Sequence, residues 1–353
     1  MLINYANPMA MSCWYLDRLG IDVVGLCYSV QGTSRMLARR LGVEHDEVRY
    51  LVAGINHQAW FLRFEYGTED LYPWLRQVMA RRHLGGSPFG EGSTDRGDHS
   101  EADRGESDYE GAQERVRTEI MAAFGYFHTE SSHHASEYLP YFRKSSALVD
   151  EMLPVRWDDY QVCAAHDAGD HTAALLTRLK RELTPSVEYG ATIINAVETD
   201  EPGVVYGNVA DHGLIDNFPS GCCVEVPCLV DGNGVQPTAI GALPPQCAAM
   251  NRTNINVQEL AVEAALTGER QHVYHAVMLD PLTGTILTLG QVREMTDKLF
   301  AAESQWLPDI APAGLVALPD VPVRSTRRSG EHETMRSTSQ ATDRRTTARR
   351  QPV

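Results

Sequence analysis

The sequence predicts an α/β fold built on a parallel sheet, with a mixed α+β region after it and a disordered tail. Three observations carry this expectation. Short apolar runs alternate with helical patterns through residues 1–66, with short connections between them, which is the pattern of parallel α/β units. Longer helical patterns and two more strand-like runs follow between 114 and 303. Beyond Pro308 the chain turns to Thr, Ser and Arg, a composition that does not bury a core.

The elements follow in order. Asn4-Tyr5-Ala6-Asn7-Pro8 reads as a strand end turning into a helix, with Pro8 supplying a fixed φ for the first turn. Met9, Ser12, Cys13 and Leu16 share a helical face, and Gly20 stops that helix. Ile21 to Leu26 is a short apolar strand followed by Cys27. Ser29 to Leu41 is the next helix, ended by Gly42. Val48 to Ile55 is a strand followed by Asn56-His57, and the alternation from Trp60 to Tyr66 predicts one more. Residues 82–113 are rich in Gly, Ser and acid and are expected to form a mobile surface loop. Helical patterns return at 114–125 and 159–183, strand-like runs at 203–209 and 222–230, and helices at about 256–279 and 290–303. No internal repeat is visible.

Composition narrows the function classes. The chain has 353 residues, 43% hydrophobic and 22% charged, the profile of a soluble globular protein. A formal net charge of −16 argues against a nucleic-acid surface over the body of the chain. Residues 324–353 hold eight arginines against three acids, but without interleaved aromatics they read as an unstructured extension. No run of about 20 apolar residues is long enough to span a membrane, and the N-terminus lacks a secretory pattern. Seven cysteines at irregular spacing do not form a disulfide framework. A reducing cytoplasm is the expected location.

In open α/β sheets, ligand groups sit just beyond the carboxyl ends of strands. Asn7, Cys27 and His57 all occupy such positions. Taken singly, a Cys after a buried strand is ordinarily a packed thiol, and a His close to a Trp is ordinarily structural. A thiolate plus an imidazole is also an incomplete coordination shell, whose open positions go to water or substrate oxygens. No CxxC, HExxH or EF-hand spacing is present, so spacing alone is a weak metal signal. Two further clusters are dense in polar side chains: Tyr126 to Tyr138, with its His, Glu and Ser, and Glu188 through His212-Gly213. Their ordinary readings are a capped turn and a polar hairpin.

Taken together and in this order, the segments NYANPMAM (4–11), GLCYSVQGT (25–33), AGINHQAW (53–60), GYFHTESSHHASEY (125–138), YGNVADHGLIDNFPSGCCVEVPCLVD (206–231) and TNINVQELAVEAAL (253–266) resemble the family 4 glycoside hydrolases, most closely their α-galactosidase branch. The resemblance covers roughly residues 1–310 and fails in the acidic insert and the tail. It implies chemistry outside the usual pair of carboxylates. In that family NAD⁺ takes hydride from C3 of the sugar, a base removes the acidified C2 proton, the aglycone leaves from C1, water adds, and the hydride returns. A divalent metal, usually Mn²⁺, acts as a Lewis acid.

The resemblance assigns roles residue by residue. Cys27 and His57 match the metal ligands. Asn7 matches a substrate-hydroxyl contact, and Tyr189 falls where the family has its C2 base. Arg117, Glu130 and His133 are expected to contact sugar or cofactor. Cys222 and Cys223 are expected in the core. Two departures stand out. The branch has His directly after the metal-binding Cys, and this chain has Tyr28, a weaker acid at neutral pH, where the leaving-group acid is expected. The Gly-rich turn that holds the NAD pyrophosphate does not occur, so no cofactor-binding residue is assigned.

The implied architecture places a remnant of a Rossmann-like NAD-binding domain at 1–66, a substrate and oligomerisation domain at 67–312 and a basic tail at 313–353. The expected function is hydrolysis of α-galactoside-like sugars by a homo-oligomer using NAD and Mn²⁺, with the chain expected to be a truncated and weakly active form. Two rival readings remain: a non-catalytic subunit without NAD binding, and an NAD-dependent dehydrogenase of the lactate/malate type, which would lack the Cys27/His57 pair.

Overall fold

The computed structural model describes residues 1–83, 114–153 and 188–308, all within one compact unit. The acidic segment 82–113, apart from its first two residues, the helical pattern at 159–183 and the tail at 313–353 lie outside the described residues.

The chain opens with strand β1 (Leu2–Asn4), helix α1 (Met9–Arg18), β2 (Val23–Gly25) and α2 (Ser29–Leu41). Strands β3 (Val48–Ile55), β4 (Gln58–Tyr66) and β5 (Glu69–Asp70) follow, then α3 (Tyr72–His83). The middle holds α4 (Arg115–Phe124), β6 (Phe127–His128), α5 (Ser132–Ala135), α6 (Ser146–Met152) and α7 (Tyr189–Thr199). The last part comprises β7 (Gly203–Ala210), β8 (Cys223–Asp231), β9 (Gly234–Pro237), α8 (Pro245–Thr267), α9 (Arg270–Leu279), α10 (Pro281–Ile286) and α11 (Leu289–Ala302).

The nine described strands form one sheet in the order β1-β2-β7-β8-β3-β4-β5, with β6 on β4 and β9 on β8. β1 and β2 are parallel and joined through α1, as the alternation of apolar runs predicts. The strand at 48–55 does not extend that parallel set. β3 pairs antiparallel with both β4 and β8. The reason is the connection: only Asn56 and His57 separate Ile55 from Gln58, and two residues close a hairpin, whereas a parallel crossover needs a dozen or more. His57 takes the turn's left-handed conformation at φ 62. β7 and β8 lie between β2 and β3, so the sheet interleaves strands from both sides of residue 66.

Alternation along the strands sends side chains to two cores. Val52, Ala59 and Phe61 join Leu37, Leu75 and Met79 on one face. Ala53, Ile55 and Trp60 join Met9, Trp14, Val205 and Val224 on the other, as period-two geometry requires. Cys222 and Cys223 are buried there too, in the core position expected of them. The helical pattern expected over 256–279 is two helices, because Gly268 at φ 70 caps α8 in the left-handed conformation.

One row of the sheet positions the site. Gly25 pairs with Asn208, Asn208 with Glu225, and Glu225 with Gly54. Cys27 follows the β2 end of this row by two residues, and His57 follows its β3 end by three.

Candidate functional site

Three distant segments converge above that row. Cys27 lies in the link from β2 to α2, His57 in the β3–β4 turn, and Glu130 just after β6. One ligand atom from each lies within 4.8 Å of both others. The Cys27 thiol reaches Glu130 Oε1 at 3.7 Å and Ser29 Oγ at 3.4 Å. His57 Nε2 is 3.9 Å from the same Glu130 oxygen. Two strand ends and one turn thus present a sulfur, an imidazole nitrogen and a carboxylate oxygen to one point, a donor set that suits a divalent transition metal.

Two of the donors, Glu130 and His57, are held from behind. The Glu130 backbone N–H donates to His128 Nδ1 at 3.3 Å. His128 stands edge-on to Trp60, with ring centroids 5.3 Å apart. Burial, then the Arg117 charge, push the His128 pKa down to about 3, so its Nδ1 stays a neutral acceptor. On the far side of the His57 ring, Nδ1 lies 2.9 Å from His134 Nε2 and 3.0 Å from the Tyr138 hydroxyl. His134 Nδ1 continues to Glu137 Oε2 at 2.6 Å, and Arg143 donates to Glu137 Oε1 at 3.1 Å. With His134 neutral, its Nδ1–H donates to Glu137 and its Nε2 accepts from His57 Nδ1–H, which leaves the His57 Nε2 lone pair facing Cys27 and Glu130, the tautomer a metal ligand needs; protonation of His134 reverses that bond.

Burial and neighbouring acids set the electrostatics of the cluster. Burial, then the charges of Glu225 and Glu130, push the Cys27 thiol up to about 12. Burial lowers the His57 pKa, keeping the ring neutral, although Glu130 opposes this. Burial also lowers His134, but the Glu137 hydrogen bond and the charges of Glu130 and Glu137 outweigh it and leave its pKa raised.

Glu225 lies fully buried in the row beneath. Burial, then repulsion from Glu130, raise its carboxyl to about 8. Asn208 Nδ2 donates to the Gly25 carbonyl at 3.3 Å and reaches Glu225 Oε1 at 3.5 Å, while Glu225 Oε2 has no partner. Two carboxylates, a thiol and no facing Lys or Arg among the groups that shift Cys27 and Glu225 make a concentration of acids that a cation relieves.

A cleft of about 430 Å³ opens beside the cluster. Its polar lining comprises Asn7, Asn56, His57, His134, Tyr138 and Gln258. Of the residues expected from sequence, Asn7 stands on the cleft wall, its side chain accepting from the Met9 N–H at 3.3 Å. Tyr28 occupies the N-cap position of α2, directly after Cys27. Tyr189 opens α7 and packs against both cores. Burial, then Tyr50, Tyr206 and Glu225, raise its pKa.

His133 is turned toward Arg143, 3.5 Å from Nδ1 to Nη2, and is not part of the three-donor cluster. Arg117 is 4% exposed. Its guanidinium is engaged by Glu114 at 2.6 Å, by Thr33 Oγ1 at 3.0 Å and by the Thr129 carbonyl at 3.3 Å, and it covers the Phe127 ring. That commitment fastens α4 to α2 and to the residue before Glu130, and it places Arg117 among the residues supporting the site. Sequence reasoning did not single out Glu225, Asn56, His134, Tyr138 or Gln258 for roles. The dense polar run at 126–138 was the available signal for two of them.

Residues 52–283 match the family 4 glycosyl hydrolase C-terminal domain. The chain is 38% identical over 313 residues to an alpha-galactosidase of Bacillus subtilis (strain 168), covering 87% of this chain and 66% of that protein. It is 32% identical over 329 residues to an alpha-galactosidase of Rhizobium meliloti (strain 1021), covering 88% of this chain and 61% of that one. The chain therefore spans a little under two thirds of the length of these relatives. A 6-phospho-alpha-glucosidase from gut microorganisms, solved in complex with NAD and Mn²⁺, shares the fold with a TM-score of 0.61 at 19% identity, covering 88% of this chain and 67% of that one. No described helix is long and apolar enough to cross a membrane. With a matched domain that spans most of its length, this chain belongs to family 4 of the glycosyl hydrolases.

Proposed function

We propose that the protein hydrolyses α-galactoside-like sugars with the help of NAD and Mn²⁺, and that Cys27, His57 and Glu130 hold the metal. The observation that carries this reading is the convergence of those three donors to within 4.8 Å of one another, beside a cleft of about 430 Å³, a volume suited to a small ligand. The alpha-galactosidase relatives and the fold-mate holding NAD and Mn²⁺ support the substrate class and the cofactors. A divalent cation supplies Lewis acidity toward sugar oxygens and favours the ionised forms of nearby acids.

The remaining work falls to the chain's own residues. Asn7 holds a sugar hydroxyl at the cleft wall. His134, Tyr138 and Glu137 fix the His57 ring. Tyr189 is the proposed base toward the proton on C2, and Tyr28 the proposed acid toward the leaving group. The raised pKa of Tyr189 means that its phenol is protonated at neutral pH in the metal-free protein. Its work as a base therefore depends on the positive charge that the donor cluster is built to hold.

The test is turnover of p-nitrophenyl α-galactoside with NAD⁺, Mn²⁺ and a reductant by the wild type and by Cys27→Ala. Loss of turnover in the variant, with folding retained by circular dichroism, is expected. Equal turnover by the two proteins removes Cys27 from the reaction.

A further inference from the structure

The row of the sheet that positions the site has a neighbouring row two residues further along each strand, and a side chain completes it. Tyr206 on β7 lies opposite Pro227 on β8. Continuing the Gly54–Glu225 register of β3 and β8 by two residues sets Pro227 against Val52. Proline has no N–H to give a ladder, and among the described residues β3 and β8 pair only at Gly54 and Glu225. Val52 is 0% exposed, so its backbone needs a partner within the protein. The Tyr206 side chain supplies it. Its hydroxyl accepts from the Val52 N–H at 3.3 Å and donates to the Tyr50 carbonyl at 3.3 Å. The ring stacks on Tyr50, with centroids 5.8 Å apart and an interplanar angle of 19°. On its other edge β3 is least regular at this point. β4 advances two residues, from Arg63 to Phe61, while β3 advances one, from Leu51 to Val52. Leu62 is thus the extra residue of a β-bulge, a feature that bends a strand and re-aims what it carries.

We infer that Tyr206 is a positioning residue: its hydroxyl clamps β3 at the bulge and so sets where the β3–β4 turn presents His57. This rests on reading the three donors as a metal site and adds what holds one of them in register. Val52 lies two residues before Gly54 and five before His57. A phenylalanine would fill the same face of the core, so packing alone does not call for the hydroxyl. Without it, the Val52 N–H is left buried and unbonded, which costs more than the bond itself contributes. At a bulge the ladder to β4 resists a shift least, so β3 relieves that cost by moving, and the turn moves with it. Cys27 approaches from the end of β2, beyond β7 and β8 in the sheet. A shift of β3 therefore changes the separation between the sulfur and the imidazole.

The experiment titrates the metal-free full chain with Co²⁺ and follows the thiolate band. Tyr206→Phe, which keeps the ring, is expected to bind Co²⁺ about tenfold more weakly than the wild type while retaining the band from Cys27. In a His57→Ala background the same substitution should cause no further loss, since it acts through His57. Val292→Ala, on the buried face of α11, which packs on α9, lowers stability elsewhere and should bind Co²⁺ as the wild type does. That control separates positioning from general destabilisation. In the wild type without metal, hydrogen exchange at the Val52 amide should be slow, a reading that needs no variant to fold. Wild-type affinity in Tyr206→Phe, an equal loss in the His57→Ala background, or a Val52 amide that exchanges like an unbonded one overturns the assignment of Tyr206 and leaves the metal site standing. Absence of a saturable Co²⁺ band in the wild type overturns the metal reading and this inference with it.

Discussion

Cys27 and Glu225 are acids kept neutral by their surroundings, and each gives the protein a pH signature. A thiol with its pKa pushed up to about 12 must release a proton when a cation takes its place. Mn²⁺ affinity is therefore expected to rise between pH 6 and 8, by about tenfold per unit for one proton released; calorimetry in buffers of different ionisation enthalpy counts that proton. His134→Ala, which leaves His57 Nδ1 without one partner, should weaken Mn²⁺ binding roughly 10- to 100-fold. Glu225 has a folded-state value of about 8, above the ordinary carboxyl value of about 4.3. Its stability contribution is fully present below the unfolded value and is lost as pH rises through the folded one. The metal-free wild type should thus lose thermal stability between about pH 5 and pH 8 more steeply than Glu225→Gln, which carries no proton to lose, and the difference should level off above pH 8. Parallel melting curves for the two would show that Glu225 does not titrate there.

At the scale of elements, the β3–β4 hairpin is the part that aims the site. Gly54 sits in it at φ 156, and a Cβ there would meet the Gln58 carbonyl oxygen at 2.6 Å and Ala59 Cα at 2.7 Å. Both are backbone atoms of the opposing strand. Gly54→Ala should therefore cost more than about 1 kcal/mol of stability and weaken Mn²⁺ binding by displacing His57, a joint loss that chemical denaturation and metal titration detect together. How much of this was legible in the sequence depends on the element. Cys27 and His57 stood out because each follows an apolar run too short to be anything but a strand. The antiparallel pairing of that second strand lay in the length of the connection, not in the apolar run itself: the visible alternation begins at Trp60, whereas β4 begins at Gln58 and leaves only a two-residue turn. Glu225 was hidden for a related reason: one carboxylate between Val224 and Val226 reads as the solvent-facing position of an alternating strand, yet the sheet buries it. Asn251, Asn254 and Gln258 read as the wet stripe of an amphipathic helix. Only tertiary packing against Asn56–Trp60 makes that stripe an inner wall.

Across the whole molecule, the three donors tie together the end of β2, the central hairpin and the segment after β6, which lie more than 70 residues apart at the extremes. A ligand that binds only the folded arrangement stabilises all of it: at a free concentration of about 100 times its dissociation constant the gain is about 2.7 kcal/mol. The thermal transition should therefore move upward with Mn²⁺ in the wild type and not in Cys27→Ala, an effect that scanning calorimetry reads directly. The same linkage carries the central claim, that sulfur, imidazole and carboxylate share one cation. It is tested most directly by titrating the metal-free protein with Co²⁺ and following the thiolate-to-metal charge-transfer absorption in the wild type, Cys27→Ala, His57→Ala and Glu130→Gln. The account predicts a saturable band in the wild type, no band in Cys27→Ala, and much weaker Co²⁺ binding in the other two; a band of equal affinity in all four proteins would contradict it.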